Sequence, residues 1–101
     1  MAADNEQKPD RLNAYLDAEG RVTRWPTRKG TFADQELVLA YLATKFEAGK
    51  VYTEREVNDV LRQYHTFEDW ALLRRELFER GYLNREKNGS LYWRTEQTKL
   101  Y

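Results

Sequence analysis

Apolar residues recur at helical spacing over most of the chain and give way to alternation near its end, and these changes of period mark out the elements. Between about Ala33 and Ala48, Val38, Tyr41, Leu42 and Phe46 share one helical stripe, broadened by Leu37 and Leu39, and Gly49 supplies a stop. Val51-Tyr52 follows as a short strand. Thr53-Glu54-Arg55-Glu56 then has the residues of a capping box, in which the Thr53 hydroxyl takes the Glu56 amide and the Glu56 carboxylate reaches back. Behind it Val57, Val60, Leu61 and Tyr64 predict a second amphipathic helix. Thr66 is expected to cap a third helix, Phe67 to Arg80, ended by Gly81. Tyr82–Glu86 and Ser90–Arg94 flank Asn88-Gly89, a strong short hairpin signal. A two-residue turn there sets Arg85 opposite Tyr92 and Asn84 opposite Trp93.

Upstream, Met1–Lys8 is polar and aperiodic and reads as a frayed arm. Asp10 to Ala18 predicts a short helix, with Leu12, Tyr15 and Leu16 on one stripe, Pro9 at its start and Gly20 at its end. Arg21–Trp25 alternates, and Pro26 holds Trp25 extended, which fits a short edge strand or an ordered extended segment. Arg28–Thr31 reads as a loop. The order helix, short strand, helix, helix, hairpin is that of a winged helix. The expected fold is therefore α+β and mainly helical: winged-helix-like, with three main helices, a C-terminal β-hairpin, and an N-terminal helix and extended segment. Residues 1–20 are the expected arm and short helix, and residues 21–101 the winged-helix-like domain.

Composition narrows the function. At 101 residues the chain can bury one modest core. Lys plus Arg number 17, as do Asp plus Glu, so the formal net charge is zero, whereas nucleic-acid binders usually carry a basic excess. The absence of cysteine removes disulfides, thiolate catalysis and cysteine-based zinc sites. No apolar run approaches the roughly 20 residues that span a membrane. No charged-then-apolar leader opens the chain, so a cytoplasmic location is expected. There is no Ser-His-Asp order, phosphate loop or dinucleotide fingerprint, and neither enzymatic activity nor a cofactor is expected.

Several residues bear on binding. With about 100° per residue, the third helix places Phe67, Trp70, Ala71, Leu73, Leu77 and Phe78 on one face. Glu68, Asp69, Leu72, Glu76 and Glu79 fall opposite, with Arg75 and Arg80 at the edges. An acidic outer face suits a major groove poorly, because phosphates repel carboxylates and base edges need donors. Arg74 falls within the apolar face, and a buried guanidinium needs a partner. Glu56 or another carboxylate of the first two helices is the expected one, and an anion-binding cleft is the alternative. Arg21, Arg24, Arg28 and Lys29 surround Trp25 in a segment without acids, the best candidate for nucleic acid or a partner; as a structural feature it is a solvated strand edge. Arg85 and Lys87 add charge to the hairpin, offset by Glu86, and Arg85 over Tyr92 would be a structural cation–π pair. His65, the sole histidine, ends the second helix beside Glu68 and Asp69. One histidine without cysteine makes no persuasive metal set, and capping of the last carbonyls is the simpler reading. Trp25, Trp70, Trp93, Tyr82 and Tyr92 exceed what a small core hides, which suits a protein interface.

A set of short motifs carries a family resemblance. These are Arg24-Trp25-Pro26, Phe46 with Gly49, Tyr52-Thr53-Glu54 with Glu56-Val57-Asn58, Tyr64-His65 with Phe67 and Asp69, Leu73-Arg74-Arg75-Glu76-Leu77, Gly81-Tyr82-Leu83 with Arg85, and Tyr92-Trp93-Arg94. With them the chain from about Arg21 to Arg94 resembles the prokaryotic domain of unknown function twenty eighty-seven. That family occurs alone or attached to helix-turn-helix regulators, so the resemblance implies a role linked to transcription and no activity. The expected function is a non-enzymatic interaction module acting through protein–protein contacts, with a second copy of the chain as one candidate partner. The alternative is weak DNA or RNA binding through the basic 21–29 segment and the wing.

Overall fold

The ends of the helices are set by side chains and backbone groups a few residues away, and in three places they differ from the expected bounds. The computed structural model describes residues 10–27 and 31–95. The expectations for Met1–Pro9, Arg28, Lys29 and the C-terminal residues lie outside those. The elements are α1 (Asp10–Asn13), α2 (Phe32–Ala43), β1 (Val51–Thr53), α3 (Glu54–Gln63), α4 (Trp70–Glu79), β2 (Leu83–Arg85) and β3 (Leu91–Arg94). The fold is α+β: these four helices and one small antiparallel sheet of order β1-β3-β2.

α1 ends at Asn13 and does not continue to Ala18. Asp17 turns the chain instead, its side chain accepting the amides of Glu19 at 3.0 Å and Arg21 at 2.8 Å. α2 likewise stops short of Ala48. Its last amides tighten onto i−3 carbonyls, with Lys45 bonding Leu42 at 3.0 Å and Phe46 bonding Ala43 at 3.1 Å. That turn swings Phe46 into the core, edge-on to Tyr52 with 5.2 Å between centroids. The Tyr52 hydroxyl in turn accepts the Glu47 amide at 2.7 Å.

α3 begins as its sequence requires. Thr53 Oγ1 accepts the Glu56 amide at 3.1 Å, and Glu56 Oε1 accepts the Thr53 amide at 2.9 Å. α4 begins at Trp70, three residues later than expected, and its cap is Asp69, whose carboxylate accepts the Leu72 amide at 3.2 Å. Thr66 is not the cap, because the helix does not begin next to it: the Thr66 amide donates to Val22 O at 2.9 Å, and three further residues precede Trp70. Glu68 then takes a left-handed conformation, φ 57°, which breaks any helix running through it.

Val22 holds the extended segment in place. Fully buried, it bridges Leu16 on one side and His65 on the other, and its amide donates to Tyr64 O at 2.7 Å. The segment is thus an ordered strap across the α3–α4 turn. In the sheet Val51, Tyr52 and Thr53 pair with Trp93, Tyr92 and Leu91, and Arg85 lies opposite Tyr92 and Asn84 opposite Trp93, as the hairpin register requires. The turn itself sits one residue earlier than the Asn88-Gly89 signal suggests. Gly89 N–H closes it onto Glu86 O at 2.9 Å, Lys87 and Asn88 lie at its centre, and Gly89 alone has positive φ, 75°.

Val22, Val38, Leu39, Leu42, Phe46, Val57, Leu61, Leu73, Leu77 and Leu83 form the centre of one core shared by all these layers. Leu12 and Tyr15, from α1 and the turn after it, belong to the same core.

Candidate functional site

Of the basic segment, the best candidate from the sequence, Arg21, Arg24 and Trp25 are among the described residues, and all three make contacts within the chain. Arg21 turns back to Asp17, at 2.9 Å, and to Glu19, at 3.4 Å, both just outside the acid-free window. Arg24 lies 4.5 Å above the Tyr15 ring. The Tyr15 hydroxyl donates to Asp34 at 2.8 Å, and Arg11 donates to the same carboxylate at 2.7 Å. These bonds, Tyr15 first and Arg11 after it, hold the Asp34 carboxyl below its usual range against the opposing effect of burial. Trp25 packs half-buried against the core, Pro26 is buried, and the Pro26 carbonyl accepts from Gln35 Nε2 at 2.7 Å.

Arg74 is half-buried between α3 and α4. It donates to Asn58 Oδ1 at 2.5 Å and stands 3.6 Å from Glu54, not beside Glu56. Glu56 is occupied by the capping box, one helical position away from the face that meets α4. Arg80 carries the larger ion-pair network: Nε to Glu76 at 2.8 Å, NH1 to Glu36 at 2.9 Å, NH2 to Gln35 Oε1 at 2.7 Å. The Tyr82 hydroxyl donates to Glu36 at 2.5 Å. Burial disfavours the Arg80 charge, but Glu36 and Glu76 outweigh it and raise its pKa.

His65 is buried, and both ring nitrogens are used. The Asp69 amide donates to Nε2 at 3.0 Å, so Nε2 is the acceptor and Nδ1 carries the proton that meets Leu61 O at 2.5 Å. The ring therefore caps the end of α3, as expected, and also anchors the start of α4, which the sequence did not reveal. With both nitrogens engaged it has no lone pair for a metal. Among the described residues no cluster of three or more His, Asp or Glu is arranged to hold one, and no helix is long and apolar enough to cross a membrane.

The outward face of α4 is not acidic. Leu73 and Leu77 alone are fully buried on this helix, which turns Ala71, Arg75 and Glu79 to solvent with Arg75 at the centre, flanked by half-exposed Leu72 and Phe78. Glu76 is drawn inward to Arg80, Asp69 serves as the cap, and Glu68 precedes the helix. The sequence places Phe67, Trp70, Ala71, Leu73, Leu77 and Phe78 on one face; only Leu73 and Leu77 are fully buried, Ala71 is exposed, and the phase set by Leu73 and Leu77 moves Arg75 from edge to centre. Beside this face the hairpin places Arg85 with its guanidinium 4.2 Å over Phe78, not over Tyr92, and leaves Lys87 exposed at the turn. A concavity of about 360 Å³ opens here between α4 and the sheet, lined by Ala71, Arg74, Arg75, Phe78, Arg85 and Tyr92, with Glu54 and Glu79 also on its wall.

Residues 21–94 match the family described as an uncharacterized protein conserved in bacteria, DUF2087, and the chain belongs to that family. No curated protein and no solved structure matches the chain. The family span includes the strap, both sides of the α3–α4 turn and the hairpin, and so the whole of the concavity.

Proposed function

We propose that this protein is a winged-helix module without enzymatic activity that acts through protein–protein contacts, in a setting of transcriptional regulation. Support for the winged-helix reading is topological: helix, short strand, two helices and a hairpin, with the short strand paired to the second hairpin strand in the order β1-β3-β2.

The observation that carries the protein-contact reading is that part of the positive charge is neutralised within the chain, while the outward face of α4 is mixed and not cationic. Arg11, Arg21, Arg62, Arg74 and Arg80 each have a carboxylate of this chain within 4 Å. A phosphate backbone needs a track of available cations, and these arginines do not provide one. What the outward face of α4 offers instead is a central arginine among apolar and aromatic groups, the composition of protein interfaces. Regulatory partners and a second copy of the chain both fit that face.

DNA or RNA binding is the second reading, and the absence of an acidic face on α4 favours it more than the 21–29 segment does. It would run through Arg75, Arg85 and Lys87, the third helix and the wing. Fluorescence anisotropy of mixed-sequence duplex DNA at about 50 and about 200 mM salt separates the two readings. The expected result is no salt-sensitive binding. Affinity that collapses at the higher salt, and that is lost in Arg75→Glu, would put nucleic acid first.

A further inference from the structure

Several described cations, Arg24, Arg55 and Lys87 among them, stand outside these ion pairs, but Arg75 and Arg85 come together at one place. Arg75 and Arg85 have no carboxylate within ion-pairing distance among the described residues, and both line the concavity between α4 and the hairpin. Arg85 is also pre-ordered. Its guanidinium stacks on Phe78 at 4.2 Å, which fixes its plane and leaves its N–H edge available. Arg74, on the same wall, is tethered to Asn58 and Glu54 and stiffens the floor. Ala71 and the Phe78 and Tyr92 rings supply apolar surface.

We infer that this concavity binds an acidic segment of a partner protein, one in which carboxylates alternate with apolar side chains. This rests on the protein-contact reading and names the chemistry of the partner. A carboxylate is met by Arg75 and by the free edge of Arg85, in the forked geometry that guanidinium and carboxylate share. A neighbouring apolar side chain covers Ala71 and Phe78. A volume of about 360 Å³ holds one or two side chains and not a length of nucleic acid. Glu54 and Glu79 on the wall accept from the amides of an extended peptide, and they oppose any anion, phosphate and carboxylate alike, so they count against the arginines. After those two acids are counted against the three arginines, the site keeps one positive charge, enough to select an acidic side chain.

The probe is a fluorescent peptide in which Asp and Glu alternate with Leu and Phe, compared with its Asn/Gln counterpart and with duplex DNA. The full chain should bind the acidic peptide saturably and the amide peptide at least about tenfold more weakly, the factor that one lost charged hydrogen bond gives. Arg75→Glu should weaken acidic-peptide binding by about tenfold or more, whereas Arg62→Glu, the same charge change on another surface, should not. The melting curve of each variant shows that it is folded. Arg75→Glu should also gain affinity for a peptide with Lys in place of Asp and Glu, a swap no loss of folding can mimic. No saturable peptide binding, or equal loss in Arg75→Glu and Arg62→Glu, would overturn the site while leaving the protein-contact reading intact. Salt-sensitive DNA binding lost in Arg75→Glu would overturn both.

Discussion

The Tyr15–Asp34 hydrogen bond ties the turn after α1 to α2, and its protonation behaviour gives it a pH signature. Asp34 is held below the ordinary carboxylate range, chiefly by the Tyr15 hydroxyl and next by Arg11. A depressed acid contributes stability above its unfolded pKa, and that contribution is lost as pH falls through the folded value. Tyr15 is raised, by the same bond first and by burial after it. An acid with a raised pKa contributes stability below its unfolded value, and that contribution fades as pH climbs past it toward the folded one. The pair therefore stabilises most across the middle of the pH range, with a limb on each side. In Tyr15→Phe the alkaline limb due to this phenol should vanish and the acid limb due to Asp34 should shrink. Melting temperature against pH for the two proteins measures this, and parallel curves would show that the bond contributes nothing.

At the scale of elements, Arg80 joins the end of α4 to the start of α2. It is the one side chain that touches Glu36, Gln35 and Glu76 together, with its own side chain 20 % exposed. Removing it leaves two partly buried carboxylates facing each other, a larger effect than the loss of a surface pair. Arg80→Met should destabilise by about 2–3 kcal/mol, below the figure for a fully buried pair because Glu36 is one-third exposed. Glu36→Gln added to it should recover part of that loss, and urea unfolding of the three proteins reads both effects. Neither the network nor its geometry was legible in the sequence, since it joins residues 44 apart. What could be read was local. The Thr53–Glu56 box placed the start of α3 because all its groups lie within one turn, and a loop centred on Asn88-Gly89 placed the hairpin register, although the closing turn sits one residue earlier. The start of α4 lies later than Thr66 suggests because Glu68 takes a left-handed conformation, which no side chain in the sequence announces, and Asp69 caps instead. An error of phase in the same helix hid Arg75. Of the candidate site, then, Arg74, Arg85 and Lys87 were legible as residues to watch, and the tertiary contacts of α4 were needed to show which of its faces meets solvent.

For the whole molecule, the folding unit is larger than the family span. Residues 21–94 carry the motifs, yet Leu12 and Tyr15 are 4 % and 6 % exposed within the common core. Thr23 also donates its amide and hydroxyl to Tyr15 O, at 2.8 and 3.2 Å, which pins the start of the strap. Gly20 belongs to the same join: its carbonyl accepts the Tyr41 hydroxyl at 2.6 Å, and its φ of 81° suits glycine. Burial of two such side chains is worth about 3–6 kcal/mol, set against a total of about 5–15 kcal/mol for an ordinary domain. A chain beginning at Arg21 should therefore be close to the limit of stability, melting about 20 °C or more below the full chain. If so, the strap loosens with it, because Val22 is held between Leu16 and His65, and the α3–α4 turn that orients Arg75 loses its brace. Peptide affinity at the concavity should then fall along with stability in the shortened chain. A full-chain Leu12→Ala, which opens a cavity in the same layer without removing Tyr15, should lower stability by about 2–4 kcal/mol and leave that affinity unchanged where the protein is folded. Thermal unfolding and peptide titration on the same three proteins separate the two effects: a shortened chain that melts with the full one would show that residues 10–20 only cover a core already complete without them.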